Sequence, residues 1–306
     1  MGVVTTGFFD GVHLGHRHVL ETVVSASRER GEEAIVVTFW PHPRTVLQQD
    51  ARDFRLLSSL DEKKALLLSL GVDRVEVLPF TRSFAAMTAA EYLSLLRERF
   101  GASLVVMGYD NRIGSDRKTA GELVDPRPGT QMPELVLVGP LPFIKPRAAT
   151  GSQDQQSTSS GTSISSTQIR HALEQGRVEE ANAMLGYRYG LYGVVVAGNR
   201  MGRTIGFPTA NMQLYEPLKL VPGNGVYIVE VEVLGKQYRG MCNIGTRPTV
   251  GGTTRTIETH ILDFDQDIYG LPLQLRFLQR LRDERKFDSL EALRAQLTED
   301  RERVRA

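Results

Sequence analysis

The sequence contains a single cysteine and no long apolar run. Cys242 is the one cysteine in 306 residues, so no disulfide can form within the chain, which favours a reducing compartment such as the cytoplasm. No apolar run approaches the ~20 residues that span a bilayer, and no signal-peptide pattern opens the sequence. We therefore expect a cytoplasmic protein that does not cross a membrane.

An excess of charge of either sign is also missing. Lys and Arg number 37 and Asp and Glu number 36, which gives a formal net charge of +1. This balance gives no reason to expect a nucleic-acid partner or a membrane surface. Hydrophobic residues make up 41% of the chain, enough for real cores, and the length suggests two domains at about 100–200 residues each.

The first half alternates short apolar runs with helical periodicity, which predicts a parallel sheet built from βαβ units. The helical stretches between these runs end in glycine, as helices often do. A Ser- and Gln-rich insert at 151–163 predicts a mobile loop. The predicted strands are GVVTTG, EAIVVTF, RVEVLPF, SLVVMG and ELVLVG.

The sequence pattern changes near residue 187, after one more stretch with helical periodicity. Alternating residues and glycine turns without intervening helices predict an antiparallel barrel or sandwich. Leu290, Leu293 and Leu297 lie at helical spacing and predict a closing helix. The fold class is therefore α/β plus all-β, with predicted domains at 1–186 and 187–306.

Three of the six histidines, His13, His16 and His18, lie within six residues of one another in GFFDGVHLGHRH. This stretch follows the first predicted strand and leads into the first predicted helix, where ligands bind in open α/β sheets. A helix N-terminus favours phosphate, and two imidazole N–H groups there would stabilise charge that develops on a transferring phosphate. We interpret His18, inside the helix, as structural.

Two other interpretations of the histidines remain open from the residues alone. Three close histidines could bind zinc, although no cysteine lies nearby and no carboxylate partner is obvious. They could also be surface histidines of a glycine-rich turn, because H-x-G-H is a short pattern.

Further stretches place polar or aromatic residues where predicted strands end or a helix begins. TFWPHP carries Phe39 and His42, and MGYDNRIG carries Asp110. SISSTQIR opens the late helix with hydroxyls and Arg170, which suits phosphate oxygens. Each stretch alone is compatible with a cap or a turn. Together with the histidine turn they favour one ligand site at the edge of the sheet.

The second half contains a glycine-rich stretch, GNRMGRTIGFPTAN, at 198–211. Glycines let a loop approach phosphates closely, and the Thr hydroxyl and Asn carbonyl are oxygen ligands suited to Mg²⁺. The stretch is not a P-loop, because G-K-[ST] is missing. A glycine-rich β-turn is the alternative interpretation.

With its H-x-G-H and late S-S-T-x-x-R, the first half resembles the N-terminal module of bifunctional prokaryotic FAD synthetases, and more widely the nucleotidyltransferases. The resemblance implies that His13 and His16 bind and stabilise the ATP phosphates. The further phosphate or ATP contacts that it implies are Gly7, Phe8, Gly15, Ser165, Ser166, Thr167 and Arg170. The flavin contacts that it implies are Phe39, His42 and Asp110.

The glycine-rich stretch resembles the riboflavin kinase signature G-x-x-x-G-R-x-x-G-F-P-T-A-N. The resemblance implies that Thr209 and Asn211 hold Mg²⁺ and the ATP phosphates, that Glu258 is the catalytic base, and that Arg282 contacts the flavin. The remaining implied ATP contacts are Gly198, Gly202, Arg203 and Gly206.

The strand pattern around Glu258 agrees with that role. In TIETHILDF, Glu258 and His260 share one face, and Ile257 and Ile261 share the other. A carboxylate on the ligand face of a barrel could take a proton from a substrate hydroxyl. The alternative is a solvated glutamate on an outer face.

The sequence departs from the family pattern at three positions near the first site. Phe8 stands where the family often has Asn, and Asn111 and Ile113 stand where it often has aromatic residues. Flavin affinity at the first site therefore depends on what these residues contact.

The resemblance as a whole implies a bifunctional enzyme that uses ATP and Mg²⁺ at both sites. The second domain would phosphorylate riboflavin to FMN, and the first would transfer AMP to FMN, giving FAD and pyrophosphate. One alternative is a monofunctional riboflavin kinase with an impaired first domain. Another is a non-catalytic flavin-binding regulator, although binding alone needs no base such as Glu258.

Overall fold

The chain divides into two compact units, Met1–Ser166 and Thr167–Ala306. The predicted loop at 151–163 lies, apart from its last residue, outside the described part of the chain, and the boundary at 186/187 stays a prediction. The computed structural model describes residues 1–47, 54–123, 132–141, 163–198, 201–249 and 252–305.

The first unit is a five-stranded parallel sheet with helices between its strands, as the sequence predicts. The strand order is β3-β2-β1-β4-β5, so the chain changes direction across the sheet between β1 and β4, which is where such folds bind ligands. The strands are β1 (Gly2–Thr6), β2 (Glu33–Trp40), β3 (Arg74–Pro79), β4 (Ala102–Gly108) and β5 (Glu134–Val138). The helices are α1 (Leu14–Arg30), α2 (Pro43–Leu47), α3 (Leu60–Ser69), α4 (Arg82–Ala85), α5 (Ala89–Phe100) and α6 (Ala120–Leu123).

Alternate residues of the central strands enter two different cores. Val3 of β1 packs with Val23 of α1 on one face of the sheet. Val4 packs with Leu93 and Leu96 of α5 on the other face. Because helices cover both faces, the central strands are largely apolar.

The helix ends follow the local signals in the sequence. Ser59 and Glu62 form a capping box at the start of α3. Gly31 ends α1 and Gly101 ends α5, each with a φ of 65°, a conformation that favours glycine. These caps set where the helices begin and end relative to the strands.

The second unit is a closed six-stranded antiparallel barrel, so the barrel and not the sandwich is the correct alternative. Its strand order is β10-β7-β6-β11-β8-β9. The strands are β6 (Gly190–Val196), β7 (Ala210–Leu214), β8 (Gly225–Val233), β9 (Lys236–Thr249), β10 (Gly252–Ile261) and β11 (Pro272–Arg282). The helices are α7 (Ser166–Glu174), α8 (Val178–Leu185), α9 (Met201–Thr204) and α10 (Leu290–Arg305).

Helix α8 and the predicted closing helix α10 both pack on the barrel. The Asn182 amide of α8 donates to the Phe277 carbonyl at 2.9 Å and accepts from the Tyr189 amide at 2.7 Å. Leu297 and Val304 of α10 lie against the barrel core, whereas Leu290 is 53% exposed. Among the described helices, none has both the length and the apolar character that a bilayer requires.

Candidate functional site

The turn between β1 and α1 has a strained backbone. Phe9, Gly11 and Val12 adopt φ values of 47°, 81° and 39°. Left-handed conformations are unfavourable for Phe and Val, so the surrounding structure must hold them. Strain of this kind concentrates at functional sites, and the turn lies at the carboxyl end of the central strand.

A buried carboxylate anchors this turn. Asp10 is 5% exposed and accepts hydrogen bonds from the backbone amides of Leu57 and Ser58 at 3.0 and 3.1 Å. The Ser58 hydroxyl accepts from the Gly11 amide at 3.0 Å. The Ser166 hydroxyl donates to the Asp10 carbonyl, also at 3.0 Å, so the segment before α3 and the last residue of the first unit both hold the turn.

A buried lysine lies on the other side of the turn. Lys63 of α3 is 5% exposed, and its Nζ donates to the Phe8 carbonyl at 3.0 Å. Burial lowers the pKa of Lys63 to about 8, against the opposing effect of the Asp10 carboxylate.

His13 and His16 form a stacked pair at the start of α1. Their ring centroids are 3.6 Å apart with planes at 16°. The His16 amide donates to His13 Nδ1 at 3.3 Å, so a neutral His13 carries its proton on Nε2. Burial, then the nearby His13 and Lys63, lower the pKa of His16 well below its usual value. His16 is therefore neutral at pH 7, and its ring offers one N–H donor.

The glycines of the turn leave room for this pair. A Cβ at position 15 would lie 3.2 Å from the His13 ring, and a Cβ at position 7 would lie 3.2 Å from the Phe9 ring. These distances are tight for carbon, so glycine at both positions lets the rings take their observed places.

His18 stands apart from the pair. It lies further along α1, and its Nδ1 is 3.9 Å from the carboxylate of Glu21. Within the described ranges, no group of three or more His, Cys, Asp or Glu side chains could hold a metal ion. His18 thus lies apart from the His13–His16 pair, and the phosphate contacts of that pair stay a prediction.

Phe8 belongs to an aromatic cluster with the residues expected to contact flavin. Its ring centroid is 5.1 Å from that of Phe39 and 5.0 Å from that of His42. Phe80 packs edge-on at 5.6 Å, and the His42 and Phe54 rings are 4.4 Å apart. The structure thus brings Phe8, Phe39 and His42 together at the ends of β1 and β2.

The segment after β4 brings a further set of residues to the same edge. Asp110 is exposed, and the Asn111 amide approaches the Thr6 carbonyl at 3.5 Å, which joins the ends of β4 and β1. Ile113 is 6% exposed and packs in the core of the sheet. Of the positions that depart from the family pattern, Ile113 is thus a packing residue.

The boundary between the two units falls within the late S-S-T-x-x-R stretch, after Ser166. Ser165 and Ser166 belong to the first unit, and Ser166 holds the Asp10 carbonyl as described. Thr167 and Arg170 lie on α7 in the second unit. Their predicted contact with phosphate stays a prediction.

The barrel contains a cavity of about 300 Å³ that unites several predicted residues. Its wall combines strand residues with residues of α9 and α10 and includes both charged and apolar side chains. The predicted residues in its lining are Gly202, Thr209, Glu258 and Arg282. Its other lining residues include Phe207, Asn243, His260, Arg285, Phe287, Leu293 and Leu297.

Strand register places Glu258 in this cavity. On β10 it lies opposite Asn211 of β7 and Asn243 of β9. Glu258 and His260 both line the cavity, whereas Ile257 is 5% exposed and packs in the core. The alternation expected from the sequence is thus confirmed, and Glu258 lines the cavity from the strand face opposite Ile257.

The glycine-rich stretch approaches these strands closely. The Asn211 amide lies against the backbone of Gly198, where any Cβ would overlap it. Phe207 donates its amide to the Gly202 carbonyl at 2.8 Å, and Gly206 has a φ of 84°. Arg203 is exposed on α9.

Comparisons with known proteins match both units. Residues 1–131 match the FAD synthetase family, and residues 185–306 match riboflavin kinase. The bifunctional riboflavin kinase/FMN adenylyltransferase of Bacillus subtilis is 34% identical over 98% of this chain and 90% of its own length. That of Escherichia coli K12 is 36% identical over 97% and 90%. This chain belongs to the bifunctional riboflavin kinase/FMN adenylyltransferase family.

The predicted family, fold class and domain order are thereby confirmed. A crystal structure described as a macrolide-efflux protein from Streptococcus pneumoniae has a TM-score of 0.88 and 35% identity, and the match covers 99% of this chain and 94% of that one. The efflux description belongs to that protein, and the likeness concerns the fold of the family.

In this member of the family, Arg282 is held by the closing helix. Asp300 of α10 is fully buried and accepts from Arg282 Nε at 2.9 Å and Nη2 at 2.7 Å. Gln296 donates to Asp300 at 2.9 Å and accepts from Arg285. The α10 helix therefore fixes two arginines that line the cavity, and the flavin contact of Arg282 stays a prediction.

Sequence reasoning missed several of these supporting residues. Lys63 had a recognisable signal, since it lies four residues before Leu67 on the buried face of α3, where a lysine is unusual. Asp10 and Asp300 had no such signal, because the Leu57 amide that Asp10 binds and the Arg282 side chain that Asp300 binds are remote in the chain.

Proposed function

We propose that this chain makes FAD in two steps, each of which uses ATP. The barrel phosphorylates riboflavin to FMN, and the first unit transfers AMP to FMN, giving FAD and pyrophosphate. Family membership supports both steps. The observation that carries the proposal is that each unit has its own set of candidate catalytic residues. The first unit has the stacked His13–His16 pair, and the second has Glu258 in its cavity.

The kinase step follows from the position of Glu258. The terminal hydroxyl of the ribityl chain attacks the γ-phosphorus of ATP, and the bond between the γ-phosphorus and the bridging oxygen breaks to release ADP. The hydroxyl proton passes to the Glu258 carboxylate. The apolar lining residues of the cavity, among them Phe207 and Leu297, suit the flavin ring.

Thr209 and Asn211 suit Mg²⁺ in this step. They are two residues apart beside β7, so their side chains share a face. Thr209 lines the cavity, and the bare backbone of Gly198 leaves space for the Asn211 amide. Mg²⁺ prefers oxygen ligands and binds through few protein groups plus substrate phosphates. When bound there, it would neutralise charge on the ATP phosphates.

The adenylyl step depends on the imidazole pair. A phosphate oxygen of FMN attacks the α-phosphorus of ATP, and the bond to the bridging oxygen breaks to release pyrophosphate. The ring N–H groups of His13 and His16 stabilise the charge that develops on the α-phosphate. The α1 N-terminus adds its dipole to the same charge. We expect Mg²⁺ to be required here too, because the leaving pyrophosphate carries a high negative charge.

The direct test is to incubate the purified chain with riboflavin, ATP and Mg²⁺ and to separate the flavins by chromatography over time. We expect FMN first and FAD afterwards. FMN that accumulates without FAD would favour a monofunctional kinase with an impaired first unit. Flavin binding without any FMN would favour a non-catalytic regulator. A cytoplasmic location and the lack of a nucleic-acid partner stay predictions from composition.

A further inference from the structure

Lys63 is a buried charge that neither proposed step uses. The residue is 5% exposed, and burial, which disfavours the charged form, lowers its pKa to about 8. The Asp10 carboxylate faces it from the turn, His16 faces it from α1, and Glu62 precedes it on α3. A buried ammonium lowers stability unless it is fully compensated. Support of the fold alone therefore does not explain a lysine at this position.

The contacts of Lys63 lead to the catalytic pair in three steps. Its Nζ holds the Phe8 carbonyl at 3.0 Å, and the Thr38 hydroxyl donates to the same oxygen at 3.4 Å. The next residue, Phe9, is left-handed. The Phe9 ring packs edge-on against the His16 ring, with centroids 5.3 Å apart. A shift of the Phe8 carbonyl would therefore move the ring that supports His16.

We propose that Lys63 is a positioning residue for adenylyl transfer, which fixes the Phe8 carbonyl and, through the Phe9 ring, the orientation of His16. This inference rests on the proposed adenylyl transfer in the first unit. Small displacements of a donor at the reacting phosphate slow the chemical step more than they weaken substrate binding. The role of Lys63 is thus separable from binding of ATP or FMN.

The test compares Lys63→Met, Lys63→Gln and the matched control Lys64→Met. Lys64 is the neighbouring lysine on α3, with its side chain partly exposed. FAD formation is measured with FMN supplied, and riboflavin phosphorylation by the same preparations is the internal reference. For Lys63→Met we expect kcat to fall about 10- to 100-fold, with KM for FMN and ATP little changed. Lys63→Gln should recover part of the loss, because its amide can still donate to Phe8.

Two further readouts separate positioning from a structural role. The thermal midpoint of Lys63→Met should equal or exceed that of the wild type, because a costly buried charge is removed. The wild-type kcat should decline in part as pH rises through about 8, since the neutral amine donates a weaker hydrogen bond to the Phe8 carbonyl than the ammonium does, and Lys63→Met should lack this decline. His16 is neutral across that range, so it does not contribute.

Wild-type kcat in Lys63→Met would overturn the inference. So would a loss of FAD formation that Lys63→Gln does not relieve, or one that follows a fall in thermal midpoint. If the wild type forms no FAD from FMN, the proposed function of the first unit fails instead, and the two failures are thereby distinguished.

Discussion

The two units build their sites in different ways. In the first, the central residues are close in sequence, from Gly7 to His16, and a strained turn presents them at the end of a strand. In the barrel, the residues around the cavity run from Gly202 to Leu297, and strand register brings them together. A short motif thus reveals the first site, whereas the second depends on the whole barrel.

The two sites also differ in what supports them. Buried polar groups hold the first site: the Asp10 carboxylate of the turn accepts from the Leu57 backbone amide, and Ser58 and Lys63 bond to the backbone of the turn. The closing helix holds the second, because α10 supplies Asp300 to Arg282 and apolar side chains to the cavity wall. Damage to each should therefore have different consequences, and the following variants test this.

The largest expected effect is on the kinase step. Glu258→Gln removes the proton acceptor and should slow FMN formation from riboflavin by about 10²- to 10⁴-fold, while FAD formation from supplied FMN stays unchanged. Chromatography of both flavins measures the two rates in one preparation. Glu232→Gln is the control, since Glu232 pairs with Arg276 outside the cavity. Loss of both activities in Glu258→Gln would contradict separate sites.

The converse variant is His13→Ala. It removes a donor to the developing charge and should slow FAD formation by about 10²- to 10³-fold, with riboflavin phosphorylation intact, so that the reaction stops at FMN. His18→Ala, which changes a histidine beside Glu21, should leave both rates at wild-type values. An equal loss in the two variants would remove the distinction between His13 and His18.

A smaller effect is expected from Asp300→Asn. This change leaves the Arg282 guanidinium without its buried counter-charge and should lower the free energy of unfolding by about 3–5 kcal/mol, as measured by urea denaturation. Asp263→Asn breaks an exposed pair with Arg305 and should change it by about 1 kcal/mol or less. Similar values for both variants would show that α10 does not brace the cavity through Asp300.

The smallest expected effect is a loss of stability at acidic pH, to which one histidine of each unit contributes. Burial lowers the pKa of His16 and of His260, so below about pH 6.5 the unfolded chain binds protons that the folded chain does not. Stability should therefore fall as pH drops below that value. Thermal midpoints between neutral pH and pH 5 measure this, and His16→Asn and His260→Gln should each reduce the slope. Slopes equal to that of the wild type would show that neither histidine is the cause.

Different signals made different parts of the molecule predictable. Apolar periodicity predicted the parallel sheet and the closing helix, because burial imposes that periodicity directly. The alternation of Glu258 and His260 with Ile257 predicted which residues share a strand face, and the resemblance to riboflavin kinase predicted that the Glu258 face is the one at the ligand site. The role of Ile113 was not predictable, because a core position and a ligand position can both be apolar.

The sequence by itself determined the helices, the strands, their glycine and serine caps, and the motifs that identify the family, since these depend on neighbours within a few residues. Only the tertiary structure decided the stacking of His13 on His16, the burial of Lys63 beneath Phe8, and the pairing of Arg282 with Asp300. Those contacts join segments that the chain separates or close a turn under strain. Their geometry follows from packing of the whole unit, which no local pattern encodes.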